Sequence, residues 1–240
     1  MSRSLTEHWS SEAWRAEATA WIQQVLAARH IHVTGPVEQP RIRFWSTQLK
    51  IPTDHGVVWF KENCPGLRQE AAVVAALSVL APDHVVSPLA VEPERGWLLS
   101  PDRGRTLASL ESTDEETWTF VLTQYADLQR RTVDAEQPLL SAGLPALLPV
   151  DVPDHLDRLV EEFQAEPGWS PLHVDADQAT GLARAAEALR RAAVELSGGS
   201  VPATFEHNDL HHNNAFVPGP GEQTLRFFDF GDALWAHPFT

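Results

Sequence analysis

The alternation of apolar and polar positions divides the chain into a strand-rich first part and a helix-rich second part. Residues 10–28 carry apolar side chains at helical spacing and predict a leading helix. Short β-prone runs follow, and segments rich in Pro and Gly separate them, which is typical of an antiparallel meander. These runs lie at residues 31–33, 41–45, 48–51 and 57–60.

One helix and two further strands complete the first part. Residues 67–80 predict a helix that ends at Ala81 and Pro82, because proline cannot continue a helix. Residues 85–91 and 96–99 predict strands joined by a turn. The first part is therefore expected to be a small antiparallel sheet that carries one main helix.

The second part is mainly helical and ends in a β-hairpin. Thr113 followed by Glu116 predicts a capping box with Thr113 at the N-cap, and apolar residues then recur at helical spacing. Residues 137–149 are rich in Pro and Leu and predict an irregular connection. Further helices are predicted at residues 154–165 and 175–196, and hairpin strands at residues 214–217 and 224–228.

This order predicts an α+β chain whose division falls near residues 100–104. We expect an N-terminal lobe over residues 1–100, including the leading helix, and a C-terminal lobe over residues 101–240. The formal charge of −15, from 33 acidic against 18 basic residues, argues against a broad nucleic-acid-binding face. A single cysteine excludes an internal disulfide, and no run approaches the ~18–20 apolar residues of a membrane span. We expect a cytoplasmic protein that binds neither nucleic acid nor membrane.

The densest cluster of chemically active residues lies around the final hairpin. Pairing of the hairpin strands would bring Asn214 and Asp229 together at one end. An amide oxygen and a carboxylate make a hard, oxygen-rich site suited to Mg²⁺. Asp209 lies just upstream and can orient an attacking hydroxyl or accept its proton.

These residues form the pattern H-x-D-x4-N followed by D-F-G, which is that of a kinase catalytic loop and metal-binding loop. With His207-Asn208-Asp209-Leu210-His211 and no Arg before the Asp, the sequence resembles the aminoglycoside phosphotransferase family. The resemblance implies a two-lobed protein-kinase-like fold. It also implies an ATP- and Mg²⁺-dependent transfer of the γ-phosphoryl group to a hydroxyl of a small molecule such as an aminoglycoside, a sugar or an amino-alcohol. Family members continue into further helices beyond Thr240, so we expect an incomplete C-terminal lobe.

The resemblance also implies roles for residues upstream of the hairpin. Lys61, at the end of a predicted strand, would hold the α- and β-phosphates, and Glu70 in the next helix would hold Lys61 through an ion pair. His207 would support the catalytic loop by hydrogen bonds near Asp229. A hinge formed by Leu99, Ser100 and Asp102 would accept adenine, and Ser46 would contact phosphate from the covering loop.

Two features depart from the family pattern. The predicted phosphate-covering loop, residues 40–47, contains no Gly, so it carries no G-x-G-x-x-G motif. Asn208 occupies a position where the family often has Gly, although Asn tolerates left-handed backbone geometry.

Alternative interpretations remain for several of these signals. The chain could be a non-catalytic nucleotide-binding module. The histidines of the loop with Asp209 could form a zinc cluster, although no H-E-x-x-H helix supports one. The acidic residues between Asp151 and Glu162 could be a solvated helix face or an electronegative wall for a cationic acceptor.

Overall fold

The computed structural model describes residues 4–110 and 114–238 and has an α+β architecture. Its helices are α1 (Leu5–Trp9), α2 (Glu12–Ala27), α3 (Glu70–Leu80), α4 (Glu115–Thr132), α5 (Glu136–Ser141), α6 (Val152–Ala165) and α7 (Ala176–Ser197). Its strands are β1 (Glu38–Ile42), β2 (Ser46–Thr53), β3 (Gly56–Asn63), β4 (Ala90–Glu92), β5 (Trp97–Pro101), β6 (Ala146–Leu147), β7 (Thr204–Glu206), β8 (Ala215–Phe216), β9 (Arg226–Phe227) and β10 (Leu234–Ala236). Within the described ranges, no helix is both long and apolar enough to span a bilayer.

The first five strands form one antiparallel sheet in the order β1-β2-β3-β5-β4. The sequence pattern assigned Pro40 to a turn, and this was wrong, because Pro40 lies inside β1. This strand is at the edge of the sheet and has no neighbouring strand on its outer side. A proline whose missing N–H would point outward therefore removes no inter-strand hydrogen bond. A register irregularity between Glu38 and Arg41 accommodates the proline.

The two faces of this sheet serve different purposes. Helices α1 and α2 pack on one face around a buried apolar cluster that includes Trp14, Ile22, Leu49 and Phe60. Helix α3 belongs to the other large cluster, which extends through α4 and the final hairpin. The second face therefore looks toward the C-terminal part of the chain, and α3 bridges the two parts.

A carboxylate on the helix-covered face fixes α1 and α2 to the sheet. The indole N–H of Trp9 donates to Oε1 of Glu62 at 2.9 Å. The indoles of Trp14 and Trp97 donate to Oε2 at 2.7 and 2.6 Å. The three rings are buried, so Glu62 satisfies three polar N–H groups that would otherwise lack a partner.

In the C-terminal part, α4 supports the strand that leads to the loop of residues 207–214. The Tyr125 hydroxyl donates to Oε1 of Glu206 at 2.8 Å and accepts the backbone N–H of His207 at 2.6 Å. Burial, together with the nearby Glu206 carboxylate, raises the pKa of Tyr125 far above its usual value. The phenol therefore stays protonated and holds β7 against α4.

Several sequence-based element assignments differ from the structure. Asp114 is the N-cap of α4, since its side chain accepts the N–H of Thr117 at 2.9 Å. The prediction of Thr113 at that position was therefore wrong, and Thr113 itself lies outside the described residues. Residues 137–149 contain most of α5 and all of β6 rather than only an irregular connection. Residues 31–33 and 85–91 contribute isolated bridges at Val33 and Val85, and only the end of the second run enters β4.

Candidate active site

The final hairpin brings two oxygen-bearing side chains to one end, as the sequence predicts. Strands β8 and β9 pair with Ala215 opposite Phe227. The N–H of Phe228 then donates to the carbonyl of Asn214 at 3.1 Å, which places Asn214 beside the start of the D-F-G segment. Asn214 and Asp229 both line one cavity of about 330 Å³ between the sheet and the hairpin.

Lys61 joins this site from the opposite side of the cavity. Its ammonium lies 2.6 Å from Oε2 of Glu70 and 2.5 Å from Oδ1 of Asp229. Glu70 also accepts the amide of Asn63 at 2.5 Å and the backbone N–H of Phe230 at 3.1 Å. Helix α3, strand β3 and the D-F-G segment therefore meet at one buried carboxylate.

The electrostatics of this group keep Lys61 and Asp229 charged. Burial lowers the pKa of Lys61, but the carboxylates of Glu70 and Asp229 raise it by more, so the net pKa lies above the ordinary value. Burial raises the pKa of Asp229, and the Lys61 ammonium outweighs this and holds the pKa below its usual value. The Lys61 ammonium can therefore release one carboxylate to bind a phosphate oxygen and still keep an ion pair with the other carboxylate.

The loop between β7 and β8 holds Asp209 against Asn214. The Asn214 amide donates to the backbone carbonyl of Asp209 at 2.9 Å and to its Oδ2 at 3.1 Å. Asn208 has φ +58°, so it adopts the left-handed geometry expected for this position. Asp229 is also left-handed, with φ +67°. Non-glycine residues rarely adopt this conformation, and such strain is concentrated at functional sites.

His207 has the supporting geometry expected from the resemblance. It is fully buried, and its Nε2 donates to the carbonyl of Phe228 at 3.0 Å, next to Asp229. Burial lowers the pKa of His207 below its usual value, with smaller opposing effects from its hydrogen bonds and the nearby carboxylates. The imidazole is therefore neutral, and it ties the catalytic loop to the D-F-G segment.

The cavity includes part of the predicted hinge but not all of it. Ser100 and Asp102 line the cavity, whereas Leu99 and Ser46 do not. Leu99 is buried in the cluster under α2, and its carbonyl accepts the N–H of Leu89 at 2.7 Å. Ser46 is buried at the start of β2. The side chains of Leu99 and Ser46 thus do not form part of the cavity wall, whereas their predicted roles can also be filled by backbone groups and stay predictions.

Both carboxylate oxygens of Asp102 already accept a hydrogen bond within the protein. Its Oδ1 accepts the N–H of Gly104 at 2.7 Å, and its Oδ2 accepts the indole of Trp59 at 3.0 Å. Its own N–H donates to Val57 at 2.9 Å. The side chain therefore shapes the turn after β5 and positions Trp59 at the cavity wall.

The sequence analysis missed several residues that line the cavity. Arg41, Gln48 and Trp59 project from the sheet, and Phe216 and Phe228 project from the hairpin. The two phenylalanine rings stack with centroids 4.3 Å apart. The alternation of side chains along adjacent strands could have placed Arg41 and Gln48 on one face of the sheet. It does not show whether that face borders a cavity or solvent.

The oxygen atoms at this site suit a divalent cation. The amide nitrogen of Asn214 is bound to Asp209, and its Oδ1 accepts no hydrogen bond from the described residues. Lys61 contacts only Oδ1 of Asp229, which leaves Oδ2 without a hydrogen-bond partner in the same part of the chain. One amide oxygen and one carboxylate oxygen fit Mg²⁺, which commonly takes few protein ligands and completes its shell with phosphate and water.

The histidines of the catalytic loop do not form a zinc site with their neighbours. His211 lies 3.5 Å from Asp209, and His207 is engaged with Phe228. Across residues 4–110 and 114–238, no three His, Cys, Asp or Glu side chains converge in a way that could hold a metal ion.

Sequence comparison finds no matching family model and no similar curated protein. Structural comparison finds solved kinases and phosphotransferases with the same arrangement. A macrolide 2'-phosphotransferase type I aligns with a TM-score of 0.60 at 13% identity, covering 95% of this chain and 74% of that chain. An ethanolamine kinase from Plasmodium vivax aligns with a TM-score of 0.56 at 12% identity, covering 95% of this chain and 65% of that chain.

A third solved structure extends this likeness to an aminoglycoside-modifying enzyme. A thermostable mutant of the aminoglycoside phosphotransferase APH(4)-Ia aligns with a TM-score of 0.55 at 16% identity, covering 90% of this chain and 73% of that chain. Identities this low establish the fold and not the substrate. The chain therefore has the two-lobed fold of the aminoglycoside-phosphotransferase-like small-molecule kinases, as its motifs predict.

Proposed function

We propose that this protein is an ATP-dependent phosphotransferase that moves the γ-phosphoryl group to a hydroxyl of a small molecule. The observation that carries the proposal is the contact of the Lys61 ammonium with both Glu70 and Asp229 in one cavity, with Asn214 beside them. Phosphoryl transfer depends mainly on positioning and charge stabilisation, and these residues supply fixed charges at the correct places. The expected location of the reaction is the cytoplasm.

The nucleotide would lie in the cavity with its base against apolar side chains of the wall. Val86 and Leu98, together with the stacked Phe216 and Phe228, are among the apolar residues that line the cavity. Lys61 lies at the polar end and would bind the α- and β-phosphates. Glu70 would hold Lys61 in place, since its carboxylate is also fixed by Asn63 and Phe230.

Asn214 and Asp229 would hold Mg²⁺ through the oxygen atoms that the chain leaves without partners. When bound, the ion neutralises negative charge that develops on the phosphate oxygens. The left-handed backbone at Asp229 and the hydrogen bonds at Asn214 fix both ligands before the nucleotide arrives.

Asp209 would position the acceptor hydroxyl and take its proton. Its side chain is about half exposed, and the Asn214 amide holds its Oδ2. Asp209 itself lines neither of the two cavities nearby, but its neighbour Asn208 lines a second cavity of about 550 Å³, and Asn213 and Asn214 line the first. The second cavity would therefore be the site of the acceptor, with its hydroxyl directed toward Asp209.

The second cavity suits a neutral or positively charged acceptor. Asp151 and Asp154 line it with Arg158, so its charged side chains carry one net negative charge. Asp157 does not face this cavity and pairs with Arg190. The acidic run of α6 thus contributes two carboxylates to the proposed acceptor site rather than a continuous wall.

The test is turnover of Mg-ATP against a panel of amino-sugars, sugars and amino-alcohols, with a matched pair of variants. Asp209→Asn should lower phosphorylation of any accepted compound by about 100-fold or more, because it removes the proton acceptor. Asp134→Asn is the control, since Asp134 is exposed and distant in sequence from the loop. Equal turnover in the wild type and Asp209→Asn would refute the role of Asp209. Binding of Mg-ATP without transfer to any acceptor would instead indicate a non-catalytic nucleotide-binding module.

A further inference from the structure

A row of polar side chains crosses the cavity face of the sheet at the level of Lys61. Arg41 on β1 pairs in register with Gln48 on β2, and Gln48 pairs with Lys61 on β3. All three residues line the nucleotide cavity. Cross-strand neighbours on one face lie close together, so the row places a second cation two strands from Lys61.

The Arg41 guanidinium has no ionic partner within the described residues. Its Nε–H is buried and has no hydrogen-bond acceptor among those residues. A buried N–H without a partner is uncommon in proteins, and a ligand that enters the cavity can supply the acceptor. The residue as a whole is half-buried and lines the cavity.

The turn between β1 and β2 lacks the glycines of a phosphate-binding loop. Phe44 and Trp45 occupy the turn, and their rings pack against each other with centroids 4.4 Å apart. Glycine is what lets the backbone N–H groups of such a loop approach a phosphate closely. A side chain from this part of the sheet is therefore the natural source of a phosphate contact.

Arg41 also changes the charge balance of the protein side chains in the cavity. Glu70 and Asp229 together balance Lys61 and leave one net negative charge beside the proposed phosphate position. Arg41 cancels that charge, so the polar end of the cavity no longer repels a polyphosphate. A guanidinium also donates in a fork that matches two phosphate oxygens.

We propose that Arg41 binds the terminal phosphates of the nucleotide and replaces the backbone donors of a glycine-rich loop, with Gln48 as a neighbouring donor. This inference rests on the proposed function, because it needs a nucleotide in the same cavity. Arg41 then acts together with Lys61 from the same face of the sheet.

The experiment compares nucleotide affinities by calorimetry in the wild type, Arg41→Gln, Arg41→Lys and the control Arg43→Gln. Arg43 carries the same charge on the neighbouring turn, but it is exposed and does not line the cavity. Arg41→Gln should weaken binding of Mg-ATP by about 10- to 100-fold and leave adenosine binding unchanged. Arg41→Lys should recover part of the affinity, and Arg43→Gln should bind as the wild type does.

The adenosine measurement shows whether the variant cavity is intact, so a folding defect cannot imitate the expected result. Equal Mg-ATP affinity in the wild type and Arg41→Gln would overturn the role of Arg41 and leave the proposed function in place. Parallel loss of adenosine and Mg-ATP binding would also overturn it, since Arg41 would then be a structural residue. A wild type that binds no nucleotide would overturn both proposals.

Discussion

Replacing Glu62 by glutamine should loosen the two N-terminal helices from the sheet. The carboxylate accepts three indole N–H groups, two of them at Oε2 and one at Oε1. A glutamine amide offers one oxygen and one NH₂ group. In the orientation that keeps more hydrogen bonds, the amide oxygen accepts the N–H groups of Trp14 and Trp97. The NH₂ group then faces the N–H of Trp9, which loses its acceptor.

The magnitude follows from the change in each bond. A hydrogen bond to a charged group contributes about 1.5–3 kcal/mol and a neutral one about 0.5–1.5 kcal/mol, so the two retained bonds lose about 2 kcal/mol together. Leaving a buried N–H such as that of Trp9 without an acceptor costs about 1–3 kcal/mol more. Because Glu62 itself is partly exposed, we expect a total loss near the lower end, about 3 kcal/mol. That is a large fraction of the ~5–15 kcal/mol by which proteins are stable.

Urea unfolding followed by far-UV circular dichroism measures this loss, since tryptophan fluorescence would respond to the substitution itself. Glu94→Gln is the matched control, because Glu94 is exposed on the turn before β5 and should change the free energy of unfolding by less than about 0.5 kcal/mol. Trp14→Phe keeps an aromatic ring but removes the donor and the five-membered ring of a buried indole, so it should cost at least about 1–2 kcal/mol. The double variant Glu62→Gln/Trp14→Phe should lose less than the sum of its parts. Equal stability of Glu62→Gln and Glu94→Gln would refute the claim that this carboxylate anchors the helices.

Two other expectations concern the residues that fix the site. Glu70→Gln removes the carboxylate shared by Lys61, Asn63 and the N–H of Phe230. The free energy of unfolding measured in urea should fall by about 2–4 kcal/mol, and the KM for Mg-ATP should rise. The low pKa of His207 means that the unfolded chain binds its proton first as pH falls below about 6.5, so the free energy of unfolding decreases with falling pH. His207→Gln should reduce that slope by up to about 1.4 kcal/mol per pH unit, and unfolding curves between pH 5 and 7 with an unchanged slope would contradict the buried neutral imidazole.

The sequence is sufficient to predict those parts of the site that depend on short spacing and on hairpin geometry. Asn214 and Asp229 flank a turn rich in Pro and Gly, so strand pairing alone brings them together. The fold of the first lobe also follows from the pattern, because strand runs separated by turns leave few topologies for a small antiparallel sheet. Lys61 and Glu70 could be placed only through the family pattern, since nothing local in the sequence shows that they meet.

Other features depend on contacts between distant segments, and no local pattern carries them. Glu62 lies between Lys61 and Asn63 at the polar end of β3, which suggests a solvent-facing position, yet three indoles from elsewhere in the chain contact it. Arg41 is a polar residue on a mostly polar edge strand, so the sequence pattern gives no sign of a cavity there. Only the tertiary fold shows that Arg41 lines one. Strands β7 and β10 are three residues long each, which is too short for a periodic signal. Thr113 and Asp114 are both good N-caps, and their order along the chain does not decide between them.

The most direct test of the account is a crystal structure of the protein with Mg²⁺ and a non-hydrolysable ATP analogue. We expect the analogue in the cavity between the sheet and the final hairpin, with Lys61 on its phosphates. We expect the metal ion at ~2.0–2.1 Å from oxygen atoms of both Asn214 and Asp229. An analogue bound elsewhere, or a metal ion that touches neither of these two side chains, would contradict the proposed phosphotransferase site.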